Sequence, residues 1–234
     1  MKALLLAAGL GTRLRPITNN VPKCLVPING KPLLQYWLEN LSKVGVDEFL
    51  INTSYLNNQV EEFVNNSIFK EQITLVYEDE LLNTGGTLLK NKDFFLDESF
   101  MFIHADNLSF CDFAAFINSH KNRQSKCEIT MMLFHTDNPK NCGIVELDDD
   151  NIVQAFYEKV KNPPSSLANG AVYICEPSII TLLESLEKKN IDFSLDIIVK
   201  LIGRINTFEN DIYHRDIGNL ESYGLAQVEV IKYL

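Results

Sequence analysis

Leu4-Leu5-Leu6-Ala7-Ala8-Gly9-Leu10-Gly11-Thr12-Arg13-Leu14-Arg15-Pro16, with its continuation through Pro22-Lys23 to Gly30-Lys31-Pro32, decides how this chain is read. An apolar run short enough for one buried strand opens into a glycine-rich turn. The turn leads into a segment that offers Arg13, Arg15 and Lys23 with no acidic residue among them. Small residues let backbone N–H groups close around an anion, while guanidinium and ammonium groups add charge-assisted hydrogen bonds to phosphate oxygens. The stretch therefore reads as a polyphosphate cradle at the end of a strand. A Walker loop is excluded, because no G-x-x-x-x-G-K-[ST] string occurs. The dinucleotide fingerprint G-x-G-x-x-G fails as well, since Leu14 stands where its third glycine belongs. An ordinary strand-to-loop turn with solvated basic side chains is the plain alternative for G-x-G taken alone.

The longer string separates these readings. Gly9-x-Gly11-Thr12-Arg13-x-x-Pro16-x-Thr18-x-x-x-Pro22-Lys23, followed by Leu25-Val26-Pro27 and Gly30-Lys31-Pro32, resembles the signature of the sugar-1-phosphate nucleotidyltransferases, and among them most the mannose-1-phosphate guanylyltransferases. The resemblance implies a Rossmann-like, glycosyltransferase-A-like fold. It also implies a reaction in which a nucleoside triphosphate and a sugar 1-phosphate give a nucleotide sugar and pyrophosphate. Leu6, Ala7, Ala8, Gly9, Gly11, Thr12, Arg13 and Lys23 fall on the nucleotide-binding positions of that family.

Composition sets outer bounds. The 234 residues suffice for one sizeable α/β domain, and 46% apolar residues supply a full core. A formal charge of −10 argues against nucleic acid or an anionic membrane as partner, so a polyanionic substrate needs a local basic cluster and a divalent cation. Five cysteines, at 24, 111, 127, 142 and 175, include no C-x-x-C pair, which fits reduced thiols in a cytoplasmic enzyme. No apolar stretch reaches membrane-spanning length, and a soluble, unexported protein is expected.

Along the chain, Pro32 opens a helix whose Leu33, Leu34, Trp37, Leu38 and Leu41 share one face up to Gly45. Phe49–Thr53 and Ile73–Tyr77 read as strands around a helix from Asn57 to Asn66. This alternation predicts a mainly parallel sheet, with ligands at the carboxyl ends of its strands. Phe100–Asn107 reads as a buried strand ending in the Asp106 carboxylate, and Asp112 caps the helix that carries Phe113, Phe116 and Ile117. Met131 and Met132 belong to the core. Asp148-Asp149-Asp150 reads as a solvated hairpin tip rather than a metal site. Ile179–Leu186 reads as a helix, and a second is expected from Ile191 through Ile202-Gly203, with Asp192 as cap or hinge. A strand ending at Asp216 precedes a closing helix from Glu221 to Ile231.

The resemblance assigns roles to this scaffold. Asn83-Thr84-Gly85 lies in the family's nucleobase loop, with Asn83 where glycine is usual; asparagine tolerates the left-handed backbone such a turn needs. Asp106 and Asp216 match the two magnesium-binding aspartates, although His214 and Tyr213 stand near the usual aromatic position. Gly143, the Glu158-Lys159 pair and Asn169 match the sugar-binding elements. A carboxylate can accept from paired sugar hydroxyls, and a neighbouring ammonium suits the sugar's phosphate. An exposed Glu-Lys dipeptide is common surface chemistry, and only the sequel through Asn162-Pro163-Pro164 to Asn169 lifts this one.

The resemblance spans the chain and implies a single catalytic domain over residues 1–234, the nucleotide-binding half about 1–110 and the sugar-binding half about 111–234, without the hexapeptide-repeat domain of longer members. Mg2+ is the implied cofactor. Arg13 would hold the leaving pyrophosphate, Lys23 would neutralise charge at the α-phosphate, and Asp106 and Asp216 would bind the metal. GTP and mannose 1-phosphate, or a related manno-configured sugar, are the favoured substrates. Uridylyl or cytidylyl transfer to another acceptor is an alternative, as is a non-catalytic regulator that binds nucleotide sugars. Short members of the family are often homodimers, on which the residues themselves are silent.

Overall fold

A computed structural model describes all residues, 1–234. The strands in chain order are β1 (Lys2–Leu6), β2 (Pro27–Ile28), β3 (Lys31–Pro32), β4 (Glu48–Thr53), β5 (Ile73–Tyr77), β6 (Phe100–His104) and β7 (Asn107–Phe110). They continue with β8 (Ile129–His135), β9 (Gly143–Leu147), β10 (Val153–Glu158), β11 (Leu167–Cys175), β12 (Ile205–Glu209) and β13 (Tyr213–Asp216). The helices are α1 (Leu33–Ser42), α2 (Asn57–Asn65), α3 (Asn83–Lys90), α4 (Phe113–Lys121), α5 (Ser178–Glu184) and α6 (Leu220–Glu229). The chain divides into two compact units, one of residues 1–81, 103–110 and 213–234, the other of 82–102 and 111–212.

The first unit is built on a parallel ladder. β1 pairs with β4 in the register Lys2↔Glu48 to Leu6↔Asn52, and β4 pairs with β5 from Phe49↔Ile73 to Thr53↔Tyr77. Ala3, Leu4 and Leu5 are fully buried, so the run covers both faces of its strand, as a parallel sheet flanked by helices requires. α1 buries the predicted face, and Trp37 adds a hydrogen bond from its indole N–H to the Asn107 carbonyl, 2.8 Å away. β7 and β13 form a separate antiparallel ribbon with Asp216 opposite Asn107. The ribbon's Leu108 joins a core with Leu14, Ile28, Leu33, Ile217, Ala226 and Val230.

The second unit is largely antiparallel. β10 pairs with β9, and β11 with β9 and β8, all antiparallel, while β12 runs parallel to β8. The expected α/β fold with a mainly parallel central sheet holds; β9 and β10, joined by a short turn, pair antiparallel. That turn holds the three aspartates. Asp148 Oδ1 accepts from the N–H groups of Asp150 and Ile152, and Asn151 takes φ 60°, so the acidic run is the turn chemistry its sequence suggests.

Met131 and Met132 are fully buried. Asp112 caps α4 through Ala115 N–H at 2.8 Å. The helix expected from Ile191 to Gly203 differs. Phe193–Ile197 forms one wide π-type turn, followed by a 3-10 turn at Ile198–Lys200. Side chains at its start satisfy backbone groups that a regular helix would leave open. Asp192 accepts from Leu195 N–H at 3.0 Å, Asp196 from Asp192 N–H at 2.8 Å, and Thr84 from Phe193 N–H at 2.9 Å.

Candidate active site

The glycine-rich segment leaves β1 and turns at once. Ala7 and Ala8 are buried, while Gly9, Thr12 and Arg13 are exposed. Ala7 N–H donates to the Asn52 carboxamide at 2.8 Å, which ties the start of the turn to β4. Gly11 takes φ +61°, and a Cβ there would lie 2.9 Å from Thr18 Cγ2 and 3.1 Å from Lys23 Cβ. Only glycine meets both conditions. Thr18 Oγ1 donates to the Gly11 carbonyl at 2.7 Å, so this threonine shapes the turn from within. Asn52 and Thr18 carry no charge and stand outside the reactive set that sequence reasoning picks out. Burial of a polar side chain beside a glycine turn is the signal that finds them.

Lys23 sits beneath this turn, only 6% exposed. Its Nζ lies 2.6 Å from Asp106 Oδ2 and 3.8 Å from Asp216 Oδ1. The paired strands β7 and β13 explain the meeting: Asp106 immediately precedes β7, and Asp216 ends β13 opposite Asn107. Gly218 leaves room for the second carboxylate, since a Cβ there would lie 2.5 Å from Asp216 Oδ2. One cation shared by two acids makes them unequal. Burial pushes the Asp106 carboxyl up, but Lys23 and His104 together hold it below its ordinary value. For Asp216, burial and the Asp106 charge outweigh Lys23 and Arg13, and its carboxyl stands above the usual range. Two carboxylates this close already require a cation between them. Their hard oxygen donors suit a divalent cation, and no group of three or more acidic, His or Cys ligands gathers in the structure.

The remaining predicted residues lie in the second unit. Asn83 opens α3 at φ 61°, the left-handed conformation for which asparagine is suited. The Thr84 hydroxyl accepts from Phe193 N–H, and the N–H groups of Gly85 and Gly86 both donate to the Ile191 carbonyl, at 2.8 and 3.2 Å. The glycine amides are therefore engaged by the 191–193 segment. Gly143 and Glu158 face each other across the β9–β10 pair, and a Cβ on Gly143 would lie 2.8 Å from Glu158 Oε2 and 2.5 Å from Phe156 Cζ. Lys159 turns at φ 49° and places Nζ 2.9 Å from Glu158 Oε1. On β11, the register slips between Asn169 and Tyr173. That bulge brings Asn169 Nδ2 to donate to the Tyr173 hydroxyl at 2.6 Å, while Asn169 Oδ1 accepts from Ala171 N–H. Gly143, Glu158, Lys159 and Asn169 thus gather at the neighbouring strands β10, β9 and β11.

The model of the family described as "Nucleotidyl transferase" matches residues 2–232. This chain belongs to the nucleotidyl transferase family. Among its relatives, the D-glycero-alpha-D-manno-heptose 1-phosphate guanylyltransferase of Aneurinibacillus thermoaerophilus is 31% identical, over 100% of both chains. The mannose-1-phosphate guanylyltransferase of Mycobacterium tuberculosis is 28% identical over 98% of this chain, and the UTP--glucose-1-phosphate uridylyltransferase of Synechocystis 30% over 97%. This nucleotidyl transferase chain spans 64% and 62% of the length of those two relatives. The crystal structure of HddC from Yersinia pseudotuberculosis superposes with a TM-score of 0.82 at 27% identity, covering 97% of this chain and 98% of that one. No helix of this family member is long and apolar enough to cross a membrane.

Proposed function

We propose that this chain transfers a guanylyl group from GTP to a manno-configured sugar 1-phosphate and releases pyrophosphate, acting as one catalytic domain over residues 1–234. The observation that carries the reading is the Lys23 ammonium held between the Asp106 and Asp216 carboxylates beneath the glycine turn. Guanine as the base is supported by the guanylyltransferases among its relatives and by the HddC crystal form complexed with GMP-PN, 27% identical to this chain.

Both reactants are anionic, so the barrier is repulsion between the incoming sugar phosphate and the α-phosphate. A sugar-phosphate oxygen is already ionised at neutral pH. It attacks the α-phosphorus, the bond from that phosphorus to the bridging oxygen breaks, and pyrophosphate leaves with the electron pair. No general base is needed, and the chain's task is positioning and charge stabilisation. The glycine turn offers backbone amides and Arg13 to the β- and γ-phosphates, and Lys23 compensates charge growing on the α-phosphate. Asn83, Thr84 and Gly85 are assigned to the nucleobase by the family resemblance, and Asn83 is the exposed polar side chain among them. Glu158 and Asn169 read sugar hydroxyls, Lys159 meets the sugar phosphate, and Gly143 lets backbone approach the ring. Asp106 and Asp216 would hold magnesium, which would supply further neutralisation of phosphate charge. Five free thiols suit a reducing, cytoplasmic setting.

The test is pyrophosphate release with magnesium, pairing GTP, UTP, CTP, ATP and dTTP against mannose 1-phosphate, glucose 1-phosphate and a heptose 1-phosphate. Turnover with GTP and a manno-sugar is expected. Turnover confined to UTP and glucose 1-phosphate would transfer the assignment to the uridylyl reading that the Synechocystis relative favours. Binding of a nucleotide sugar with no reaction in any pair would favour the regulator.

A further inference from the structure

β13 carries different groups on its two sides. Side chains alternate along a strand, so Tyr213 and Arg215 share one face while His214 and Asp216 share the other. Asp216 faces Lys23 and Asp106. On the opposite side, Glu229 of α6 binds both Arg215 and Tyr213. Arg215 Nε donates to Glu229 Oε2 at 2.7 Å and Arg215 Nη2 to Glu229 Oε1 at 2.9 Å, a two-pronged ion pair. The Tyr213 hydroxyl donates to the same Oε2 at 2.9 Å.

We propose that Glu229 is a positioning residue for Asp216. It fixes the back of β13 and thereby sets the reach of the carboxylate on the front. The proposal rests on the role given to Asp216 above.

The geometry suits this work better than generic packing does. β13 has only four residues and pairs only with β7, so its own ladder is a weak constraint on where its last residue points. A fork-to-carboxylate pair fixes orientation as well as distance, which a lysine or a lone hydroxyl would not. Arg215 is 17% and Glu229 30% exposed at the side chain, which limits screening by solvent. The third contact, from Tyr213, anchors the strand two residues upstream and resists rotation about its axis. Arg215 is also the residue directly before Asp216, so loss of the fork frees the peptide that orients the carboxylate.

The experiment uses the full chain and four variants: Glu229→Ala, Arg215→Glu combined with Glu229→Arg, Asp216→Asn, and Glu229→Ala combined with Asp216→Asn. Hydrogen exchange of the free protein and steady-state kinetics are read on each. Glu229→Ala is expected to speed exchange at residues 213–216 by about tenfold while leaving β4 protected. It should lower kcat by about tenfold with the KM for GTP within about twofold. The charge-swapped pair should regain most of both. In the Asp216→Asn background, Glu229→Ala should cost nothing further in residual turnover, because its effect travels through the missing carboxylate.

The proposal is overturned if Glu229→Ala leaves exchange and kcat unchanged, or if it lowers kcat equally with and without Asp216. Full turnover by Asp216→Asn alone would instead remove the role of Asp216, and this proposal with it. Altered exchange at residues 213–216 would then stand as strand anchoring without function, which separates the two failures.

Discussion

Replacing Lys23 by alanine tests the centre of the site, and the structure sets the size of the effect. At an effective dielectric of about 20, an ammonium 2.6 Å from one carboxylate and 3.8 Å from another attracts them by about 6 and 4 kcal/mol. Most of this is offset, because placing a 6%-exposed lysine in the fold costs several kcal/mol of hydration. The acid side chains are 37% and 53% exposed and partly screened, so the net loss of stability comes to about 2 kcal/mol. The loss of turnover is larger. On the proposed mechanism, ground-state phosphates are held by Arg13 and the glycine turn, whereas charge developing at the α-phosphate has Lys23 as its fixed partner, a contact of the kind worth about 3 kcal/mol, or about a hundredfold in kcat. The assay pairs pyrophosphate release under saturating substrates with thermal unfolding of the free protein. Lys23→Arg should not rescue, since Gly11 and Thr18 close the space around the lysine stem. A Lys23→Ala enzyme that unfolds at a lower temperature yet turns over at the wild-type rate would refute the argument, leaving Lys23 a structural counter-ion only.

Three further outcomes rest on the same physical terms. Asp216→Asn should lower turnover by about a thousandfold and raise the melting temperature, because burial and the Asp106 charge disfavour the ionised Asp216 carboxyl in the fold; a lower melting temperature would contradict that sign. Gly218→Ala should displace the Asp216 carboxylate, whose Oδ2 would lie 2.5 Å from the new Cβ, and lower kcat by about tenfold or more with little effect on unfolding, as kinetics and calorimetry can establish. Buried His120, hydrogen-bonded to Thr130 and Glu176, has its pKa pushed from 6.5 down to about 4 by burial and Arg123. The folded state therefore binds fewer protons than the unfolded state between these values, and stability should fall by about 3 kcal/mol as pH drops from 6.5 to 4. A His120→Gln variant with the same pH slope of melting temperature would show that other groups carry it.

Much of the first unit is legible from local pattern. The apolar run of β1, the helical face of α1 and the strand ending near Asp106 each state their environment within a few residues. The wish for a cation among phosphates is equally local, which is why Arg13 and Lys23 stand out. Other features are not local. That Asp216 meets Asp106 depends on β13 pairing with β7 across more than a hundred residues of chain, and periodicity is blind to such pairing; the family signature supplies it. The antiparallel character of β8 to β11 escapes local pattern for a similar reason, because alternating strands and helices describe only the crossovers. The π-type turn after Asp192 arises from side-chain competitors for backbone amides, Thr84 among them, and a helical period cannot reveal them. At Asn83 sequence and structure agree in mechanism as well as place. The turn needs a positive φ, and asparagine provides it.

The first unit is assembled from three stretches that leave the ribosome at very different times. Residues 1–81 and 103–110 emerge early, but β7 has no partner strand and Leu108 no α6 to cover it until residues 213–234 emerge. A growing chain halted between Phe110 and Tyr213 would therefore contain Asp106 and Lys23 without the second carboxylate. The nascent protein would expose an unpaired strand edge, a natural point of engagement for a chaperone. On the proposed mechanism, a product that stops short of Asp216 would be inert rather than a partly active enzyme.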